Sequence, residues 1–244
     1  GGSLKPNFWR AVTDNDMGAN VQEKFAAWRD PQMKLTSLQV DKKAKTVTAT
    51  YNLPEVKADL TIAYRATENG TLNVTQSLKT TPGAEMPEMM RFGMVMNLPY
   101  AMDQAEWYGR GPVENYSDRK LSQNVGIYKA TADQLFYPYV RPQETGTMSD
   151  LRWWNIKDNN GFGLRIESDA LFSASALHYD LYTLDEGKEK NQRHSQSLPK
   201  SQYTNLFVDL VQAGVGGVDS WSDWGRARKG HRVEYKDYTF SFRI

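Results

Sequence analysis

The sequence has 244 residues, of which 39% are apolar and 24% charged, so it does not have the composition of a disordered chain. Lys and Arg total 30 and Asp and Glu total 29, a balance that predicts neither a nucleic-acid partner nor binding to an anionic membrane. Cys is absent, which excludes disulfides, zinc thiolate sites and Cys nucleophiles. No apolar run approaches the roughly 20 residues of a transmembrane helix. No signal peptide is recognisable, and Gly1 to Ser3 resemble a linker or a cloning remnant, so the compartment stays open.

The first thirty residues carry loop and helix signals. Residues 4–20 are rich in Asp and Asn, which favours an ordered loop. Residues 20–29 predict a short helix, with Asn20 as its N-cap and Glu23 in capping-box spacing. Pro31 is expected to end this helix, because proline cannot continue the hydrogen-bond ladder.

Farther along the chain the hydrophobic period changes to two, the repeat of a half-buried β-strand. Asn-Gly between two such runs predicts a tight hairpin, because both residues tolerate positive φ. The signal occurs at Asn69-Gly70 and at Asn159-Asn160-Gly161. The predicted strands are residues 46–53, 58–67, 71–79, 88–98, 104–108, 123–129, 151–158, 162–168, 171–179, 203–213 and 231–243.

Helical patterns are sparse in the rest of the chain. Residues 131–136 predict one helical turn, and residues 183–190 another, with Thr183 and Glu186 in capping-box spacing. Many strands and few helices predict an all-β fold, a large antiparallel β-sandwich with two stacked sheets and a concave face. No repeat, linker or low-complexity segment divides the chain, so residues 1–244 are interpreted as one domain.

Two arrangements of side chains would indicate acid–base chemistry: a pair of carboxylates, or a Glu with a His. Glycoside hydrolysis usually needs two carboxylates flanking the scissile bond, but no local motif isolates such a pair, and the strand–helix alternation of a (β/α)₈ barrel is missing. Glu144 could act as a general base with His178 or His194. The alternative is a structural Glu that accepts hydrogen bonds in a turn, and the sequence favours it.

The polar loop from Asn7 to Asp16 is dense in hydrogen-bonding groups. It is interpreted either as a binding or docking loop, or as a set of turns in which short polar side chains hold irregular backbone. Asp14 to Asp16 resemble the start of an EF-hand, but the sixth and twelfth positions hold Ala19 and Phe25 instead of Gly and Glu. No EF-hand is therefore predicted, no metal site is assigned, and another oxygen-only cation site is the minor alternative.

Two tryptophan pairs have different expected roles. Trp153 and Trp154 are adjacent in a predicted strand and must face opposite sides, so one of them is expected in the core. Trp221 and Trp224 lie in the Gly-rich segment 214–225. An aromatic side chain on a loop of a rigid scaffold often serves recognition, and the alternative is a ring that caps an open end of the sandwich.

Four long segments occur in an order and spacing that resemble a known family. They are Asn7 to Asp16 (NFWRAVTDND), Trp107 to Asp118 (WYGRGPVENYSD), Tyr139 to Gly146 (YVRPQETG) and Gly214 to Trp221 (GVGGVDSW). Together they resemble the small-chain, or fifth, domain of the large bacterial β-galactosidases of glycoside hydrolase family two. The resemblance runs from about residue 6 to the C-terminus.

This resemblance implies a fold similar to galactose mutarotase and a preceding catalytic (β/α)₈ barrel that carries the acid and the nucleophile. No catalytic residue is then expected in this segment, which would pack on the barrel of the same chain and contribute part of the galactoside site. The resemblance places the substrate-binding role on Trp221. Phe8, Trp9 and Trp221 are expected to be exposed. The residues expected at an interface or cleft are Phe8, Trp9, Asp14, Asn15, Asp16 and Glu144.

No cofactor is expected in this segment, although complete members of the family can use Mg²⁺ and a monovalent cation. The alternatives to a galactosidase domain are a stand-alone sugar mutarotase or epimerase, a carbohydrate-binding module, and a structural domain with a vestigial cleft. The sequence leaves open the natural substrate, the oligomeric state and the choice between cytoplasm and periplasm.

Overall fold

β-Strands dominate the chain. The computed structural model describes residues 4–185 and 194–244, and every strand pairing in these ranges is antiparallel, which confirms the predicted fold class. The strands are β1 (Lys5–Asn7), β2 (Lys34–Asp41), β3 (Thr46–Leu53), β4 (Ala58–Ala66), β5 (Leu72–Thr80), β6 (Arg91–Pro99), β7 (Gln104–Gly111), β8 (Asn124–Thr131), β9 (Met148–Lys157), β10 (Gly163–Leu177), β11 (Tyr203–Gln212) and β12 (Tyr238–Arg243).

The two predicted sheets are continuous with each other through β10. The strand order is β1-β6-β11-β10-β12-β5-β4-β3-β2, and β9, β7 and β8 continue from the other side of β10. Glu167 of β10 pairs with β12, whereas residues 173–177 pair with β11. The register against β9 shifts between Glu167 and Phe172, an irregularity that bends a strand. The sheet therefore curls about β10, from which three arms extend: β11-β6-β1, β12-β5-β4-β3-β2 and β9-β7-β8.

Both predicted Asn-Gly hairpins are present. Gly70 turns the chain between β4 and β5 with φ of 85°, and Gly161 turns it between β9 and β10 with φ of 84°. An added Cβ would meet no heavy atom within 4 Å at either position. The left-handed backbone, and not crowding, is therefore what favours glycine at these turns.

The core is one hydrophobic cluster, and strands of all three arms contribute side chains to it. Within it, the rings of Trp107 and Trp154 stack with centroids 5.3 Å apart. The neighbouring Trp153 lies partly exposed on the other side of β9, where the Arg165 guanidinium sits 4.5 Å from the ring centroid. The prediction that Trp153 and Trp154 face opposite sides is confirmed.

Short helices connect the strands. The predicted helix of residues 20–29 corresponds to α2 (Val21–Lys24) and a following 3₁₀ turn, and Asn20 stands at the N-cap position as predicted, but the predicted capping box with Glu23 is absent. Asn20 has φ of 61° and makes no capping hydrogen bond, because it joins two helices in the left-handed conformation that Asn tolerates. The helices in the described ranges are α1 (Asp14–Gly18), α2 (Val21–Lys24), α3 (Ala132–Leu135) and α4 (Leu181–Leu184).

The remaining helix predictions agree with the structure to different degrees. At α1, Thr13 and Asp16 form a reciprocal capping box that the sequence pattern did not single out. The helical turn predicted at residues 131–136 is confirmed by α3. The helix predicted at residues 183–190 begins earlier, because the Asp180 side chain caps α4. The rest of that prediction, including its Glu, lies outside the described residues.

Several strand predictions differ from the structure. The predicted loop of residues 4–20 contains β1 and α1, and the strands predicted at residues 162–168 and 171–179 form the single strand β10. Apolar and polar residues alternate through residues 231–243, yet only Tyr238–Arg243 form a strand. The residues before Tyr238 pair with another strand-like segment only at the isolated bridge between Val233 and Met89. Strand β2 was not predicted. Its register shifts between Leu35 and Ser37, which inserts one residue and breaks the alternation.

Candidate functional site

Two of the segments that carry the resemblance, residues 7–16 and 107–118, contact the Gly-rich loop of residues 214–225, and the segment 139–146 contacts both of them. At the base of the loop, the Asp118 carboxylate accepts hydrogen bonds from the backbone N–H of Val215 at 3.1 Å and of Gly216 at 2.8 Å. A Cβ on Gly214 would lie 2.2 Å from the Asp118 Oδ2 atom. Glycine is therefore required for this close approach, which ties the loop to the segment that ends at Asp118.

The tip of the loop is held by its own side chains. Asp219 Oδ1 accepts hydrogen bonds from the backbone N–H of Trp221 at 3.2 Å and of Ser222 at 3.0 Å. Asp219 Oδ2 accepts a third from the Ser222 hydroxyl at 2.6 Å. The Ser222 hydrogen bond, followed by the two backbone bonds, lowers the pKa of Asp219, so this carboxylate is charged at neutral pH. The turn before Trp221 is thus fixed locally.

The ring of Trp221 is 80% exposed, in agreement with the expectation that it projects from the sandwich. Trp224, three residues on, is 72% exposed, and Val218 is exposed as well. A loop this constrained that still leaves two indole rings in solvent presents an apolar surface rather than a cap on the core.

Helix α1 packs directly against this loop. A Cβ on Gly18 would lie 2.0 Å from the Ser220 carbonyl oxygen, and one on Gly225 would lie 2.4 Å from the Asn15 carbonyl oxygen. These backbone approaches leave no room for a side chain at either glycine. The structure therefore brings the predicted interface segment Asp14 to Asp16 and the Trp221 loop together.

The two carboxylates of α1 have different surroundings. Asp16 is buried and accepts hydrogen bonds from Arg10 Nη1 at 2.7 Å and from the Thr13 backbone N–H at 2.8 Å, so it holds the start of the helix. Asp14 is exposed, and its Oδ1 lies 3.4 Å from Arg141 Nη1. Of the two, only Asp14 is available to a partner or a ligand.

The expectation that Phe8 and Trp9 are exposed is wrong. Both rings are buried, because the chain enters the core directly after β1. The Trp9 indole N–H donates to Asp185 Oδ2 at 2.6 Å. The Phe8 ring packs against Trp28 with centroids 5.5 Å apart. Within this chain, these two rings serve packing.

Glu144 belongs to a buried ionic cluster. Arg91 Nη2 donates to Glu144 Oε2 at 3.1 Å, and the Thr147 hydroxyl donates to Glu144 Oε1 at 2.9 Å. Arg91 Nη1 also lies 3.6 Å from Asp209 Oδ2, so one guanidinium serves two carboxylates. Burial raises the pKa of Asp209 to about 7, with the charge of Arg91 opposing the rise and that of Glu144 adding to it.

The two histidines proposed as partners of Glu144 are engaged elsewhere. His178 Nδ1 lies 2.9 Å from Asp133 Oδ1, its Nε2 lies 3.3 Å from the Tyr100 carbonyl oxygen, and its ring stacks on Tyr100. The hydrogen bonds and ion pairs of residues 4–185 and 194–244 include none between Glu144 and His178 or His194. The structure therefore does not bring these groups together as a hydrogen-bonded acid–base pair.

A further carboxylate, Glu114, was not singled out from the sequence. It is buried and accepts hydrogen bonds from the Gly146 backbone N–H at 2.6 Å, from the Thr145 hydroxyl at 3.2 Å, and from Tyr139. Burial, with Glu114 as the next cause, raises the pKa of Tyr139 to about 12. Glu114 lies in the segment 107–118 and these three donors lie in the segment 139–146. Only the folded chain shows that the two segments touch.

Two features are absent from the part of the chain that the structure describes. Within it, no three His, Cys, Asp or Glu side chains cluster in a way that could hold a metal ion. Nor does any helix there have the length and apolar character needed to cross a bilayer.

Similar proteins place this geometry in context. The chain is 34% identical over 222 residues to a β-galactosidase of Priestia megaterium, and 35% identical over 221 residues to one of Lactobacillus delbrueckii subsp. bulgaricus. These alignments cover 89% and 88% of this chain but 21% of each relative, so the chain spans about a fifth of the length of the curated relatives it matches. Among solved structures, the GalM/aldose epimerase homologue from C. elegans aligns with 87% of this chain and 67% of its own, with a TM-score of 0.42 and 7% identity.

The match to a family model is the more extensive finding. The model described as "Beta galactosidase small chain" covers residues 2–244, and thus all four segments that carry the resemblance. This chain belongs to the β-galactosidase small-chain family.

Proposed function

We propose that this chain is the C-terminal, non-catalytic domain of a β-galactosidase of glycoside hydrolase family two. In this proposal a preceding (β/α)₈ barrel of the same polypeptide supplies the acid and the nucleophile, and this chain supplies one wall of the site for terminal β-D-galactosides. The observation that carries the proposal is the exposed indole of Trp221, on a loop held by Asp118 and Asp219 and packed against α1. The relatives' length supports it, because four fifths of each lies outside the match.

The proposed role of Trp221 follows from its chemistry and its support. A flat apolar ring matches the apolar face of a galactopyranose, and its N–H can donate to a hydroxyl. The hydrogen bonds from Asp118 and Asp219 hold the loop before substrate arrives, so less conformational freedom is lost on binding. Trp221 itself can neither donate nor accept the proton of hydrolysis, which leaves the acid–base chemistry to the barrel.

The remaining groups fit a supporting role. Mg²⁺ and a monovalent cation, where the complete enzyme uses them, are assigned in this proposal to the rest of the polypeptide. The stand-alone mutarotase alternative has less support, since Glu144 is engaged by Arg91 and His178 by Asp133.

The proposal is tested by substituting Trp221→Ala in the complete enzyme. We expect the dissociation constant of a non-hydrolysed galactoside analogue to rise roughly ten- to a hundredfold, because aromatic stacking is worth about 0.5–1.5 kcal/mol and the buried area adds to it. The melting temperature should not change, since a ring that is 80% exposed leaves no cavity when it is removed. Isothermal calorimetry and a thermal scan measure the two quantities.

Trp224→Ala is the matched control, because Trp224 lies on the same loop and is 72% exposed. We expect its dissociation constant to stay within roughly threefold of the parent value. Unchanged analogue binding in Trp221→Ala, or a lower melting temperature with binding intact, would show that the ring has a structural role and no part in the substrate site.

A further inference from the structure

The arm formed by β12, β5, β4, β3 and β2 has two chemically different faces. On the outer face, hydroxyl side chains pair across the strands, as in Thr75 with Ser241 at 2.9 Å and Ser77 with Thr239 at 3.3 Å. The inner face is mainly apolar and enters the hydrophobic cluster. This alternation is typical of a sheet that is covered on one side and meets water on the other.

Three cross-strand rows on the inner face run from the core outward to the edge strand β2. In each row the side chains on β4 and β5 are buried or half-buried, and the one on β2 is exposed. The exposed ends are Leu35 at 55%, Leu38 at 60% and Val40 at 62%. The rows are Leu35–Tyr51–Leu60–Leu78, Leu38–Ala49–Ile62–Gln76 and Val40–Val47–Tyr64–Val74.

The core-facing side of this arm therefore extends beyond the layer that covers it. We call the uncovered part, Leu35, Leu38, Val40 and Val47, the β2–β3 shelf. These residues are neighbours on two paired strands, so the shelf is a contiguous apolar surface and not a scatter of single exposed side chains. Contiguous apolar surface on a soluble protein indicates a site that another polypeptide covers.

The free edge of β2 is poorly suited to the addition of another strand. The irregularity between Leu35 and Ser37 disrupts the hydrogen-bonding register of the edge, and bulges of this kind protect edge strands from pairing. Lys34 begins the strand, and Lys42 and Lys43 follow it, which disfavours edge-to-edge association further. The shelf is thus suited to contact through its side chains, face on, and not through its backbone.

We propose that the β2–β3 shelf is an interdomain contact, covered by apolar side chains from the rest of the same polypeptide. The inference rests on the proposed function, in which this chain is one domain of a protein whose relatives are almost five times as long. In the described ranges, β2 is an edge strand that pairs only with β3. The shelf contact therefore lies on β2 and β3, and the Trp221 loop is a separate element of the chain. Two separate attachments fix the orientation of the domain, and with it the position of the Trp221 ring.

The absence of Cys from this chain allows a direct test by thiol labelling of the complete native protein. Leu38→Cys places a thiol on the shelf, and Gln39→Cys places one on the neighbouring exposed residue of the outer face, as a matched control. We expect maleimide to modify Leu38→Cys at least about tenfold more slowly than Gln39→Cys, because labelling of a covered thiol requires local opening. The two rates should become equal in denaturant, and labelling of the parent protein gives the background.

Equal labelling rates in the native protein would overturn the proposal. Protection that disappears on dilution, as light scattering shows an oligomer dissociating, would assign the shelf to a second copy and overturn it as well. Turnover of a chromogenic galactoside by the same samples keeps the two proposals distinct. An active enzyme with an unprotected Leu38→Cys thiol contradicts only the shelf contact, whereas a protected thiol in a protein without galactosidase activity contradicts only the proposed function.

Discussion

The isolated 244-residue chain should release no product from a chromogenic β-galactoside above the rate in buffer, whereas the complete enzyme should turn it over. Glycosidases accelerate hydrolysis by many orders of magnitude with two carboxylates placed roughly 5–10 Å apart around the scissile bond. Three carboxylates of the Trp221 loop and α1 are already engaged, Asp219 by its own turn, Asp223 by Lys24 and Asp16 by Arg10. Product absorbance measures turnover, and far-UV circular dichroism shows whether the chain is folded during the assay.

The same preparation also tests the mutarotase alternative. The chain should leave the anomeric equilibration of galactose at its rate in buffer, because Glu144 is held by Arg91 and Thr147 and not by a histidine. Hydrolysis by the folded chain would contradict the proposed function. Faster anomerisation that Glu144→Gln abolishes would instead favour a stand-alone mutarotase.

Asp209→Asn should make the chain more stable at high pH relative to the parent. Burial raises the pKa of Asp209 from 3.8 to about 7, so between these values the folded state binds a proton that the unfolded state releases. The stabilisation from this proton is complete below about pH 4 and is lost as the pH rises through about 7. Because one pKa unit is worth about 1.4 kcal/mol, the free energy of unfolding of the variant should gain about 3 kcal/mol on the parent between about pH 5 and pH 8.

Asp237→Asn is the control for this pH dependence, because Asp237 is exposed and its pKa is shifted in the opposite direction. Its hydrogen bonds to Lys79 and Thr80 lower its pKa to about 2, so the group stays charged throughout this pH window in both states. Its substitution should change stability by an amount that does not vary from about pH 5 to pH 8. Urea denaturation at several pH values measures both variants. A pH-independent difference for Asp209→Asn would show that Arg91 keeps Asp209 ionised in the folded state.

The parts of the fold that depend on local signals were predictable. Asn-Gly turns fix the β4–β5 and β9–β10 hairpins through backbone angles that glycine adopts readily, and period-two alternation marks most strands. Strand β2 escaped prediction because the register irregularity between Leu35 and Ser37 hides its alternation. The strand predicted at residues 231–243 was too long, because alternation cannot show where a partner strand ends.

The candidate site shows the same division between local and distant causes. The exposure of Trp221 could be anticipated, because the glycines and Asp219 that shape its loop are close in sequence. The burial of Trp9 could not, since its partner Asp185 lies 176 residues away. The contacts among the four segments, including that of α1 with the loop, also depend on distant parts of the chain. Only the resemblance suggested that these segments act together.

The most direct test of the central claim is a structure of the complete enzyme with a bound, non-hydrolysed galactoside. The proposal predicts that the Trp221 ring lies face to face with the sugar, with heavy atoms within about 4–4.5 Å of it, and that the two catalytic carboxylates come from another part of the polypeptide. A ring that remains in solvent, well beyond contact distance from the galactoside, would contradict the claim that this chain forms a wall of the site.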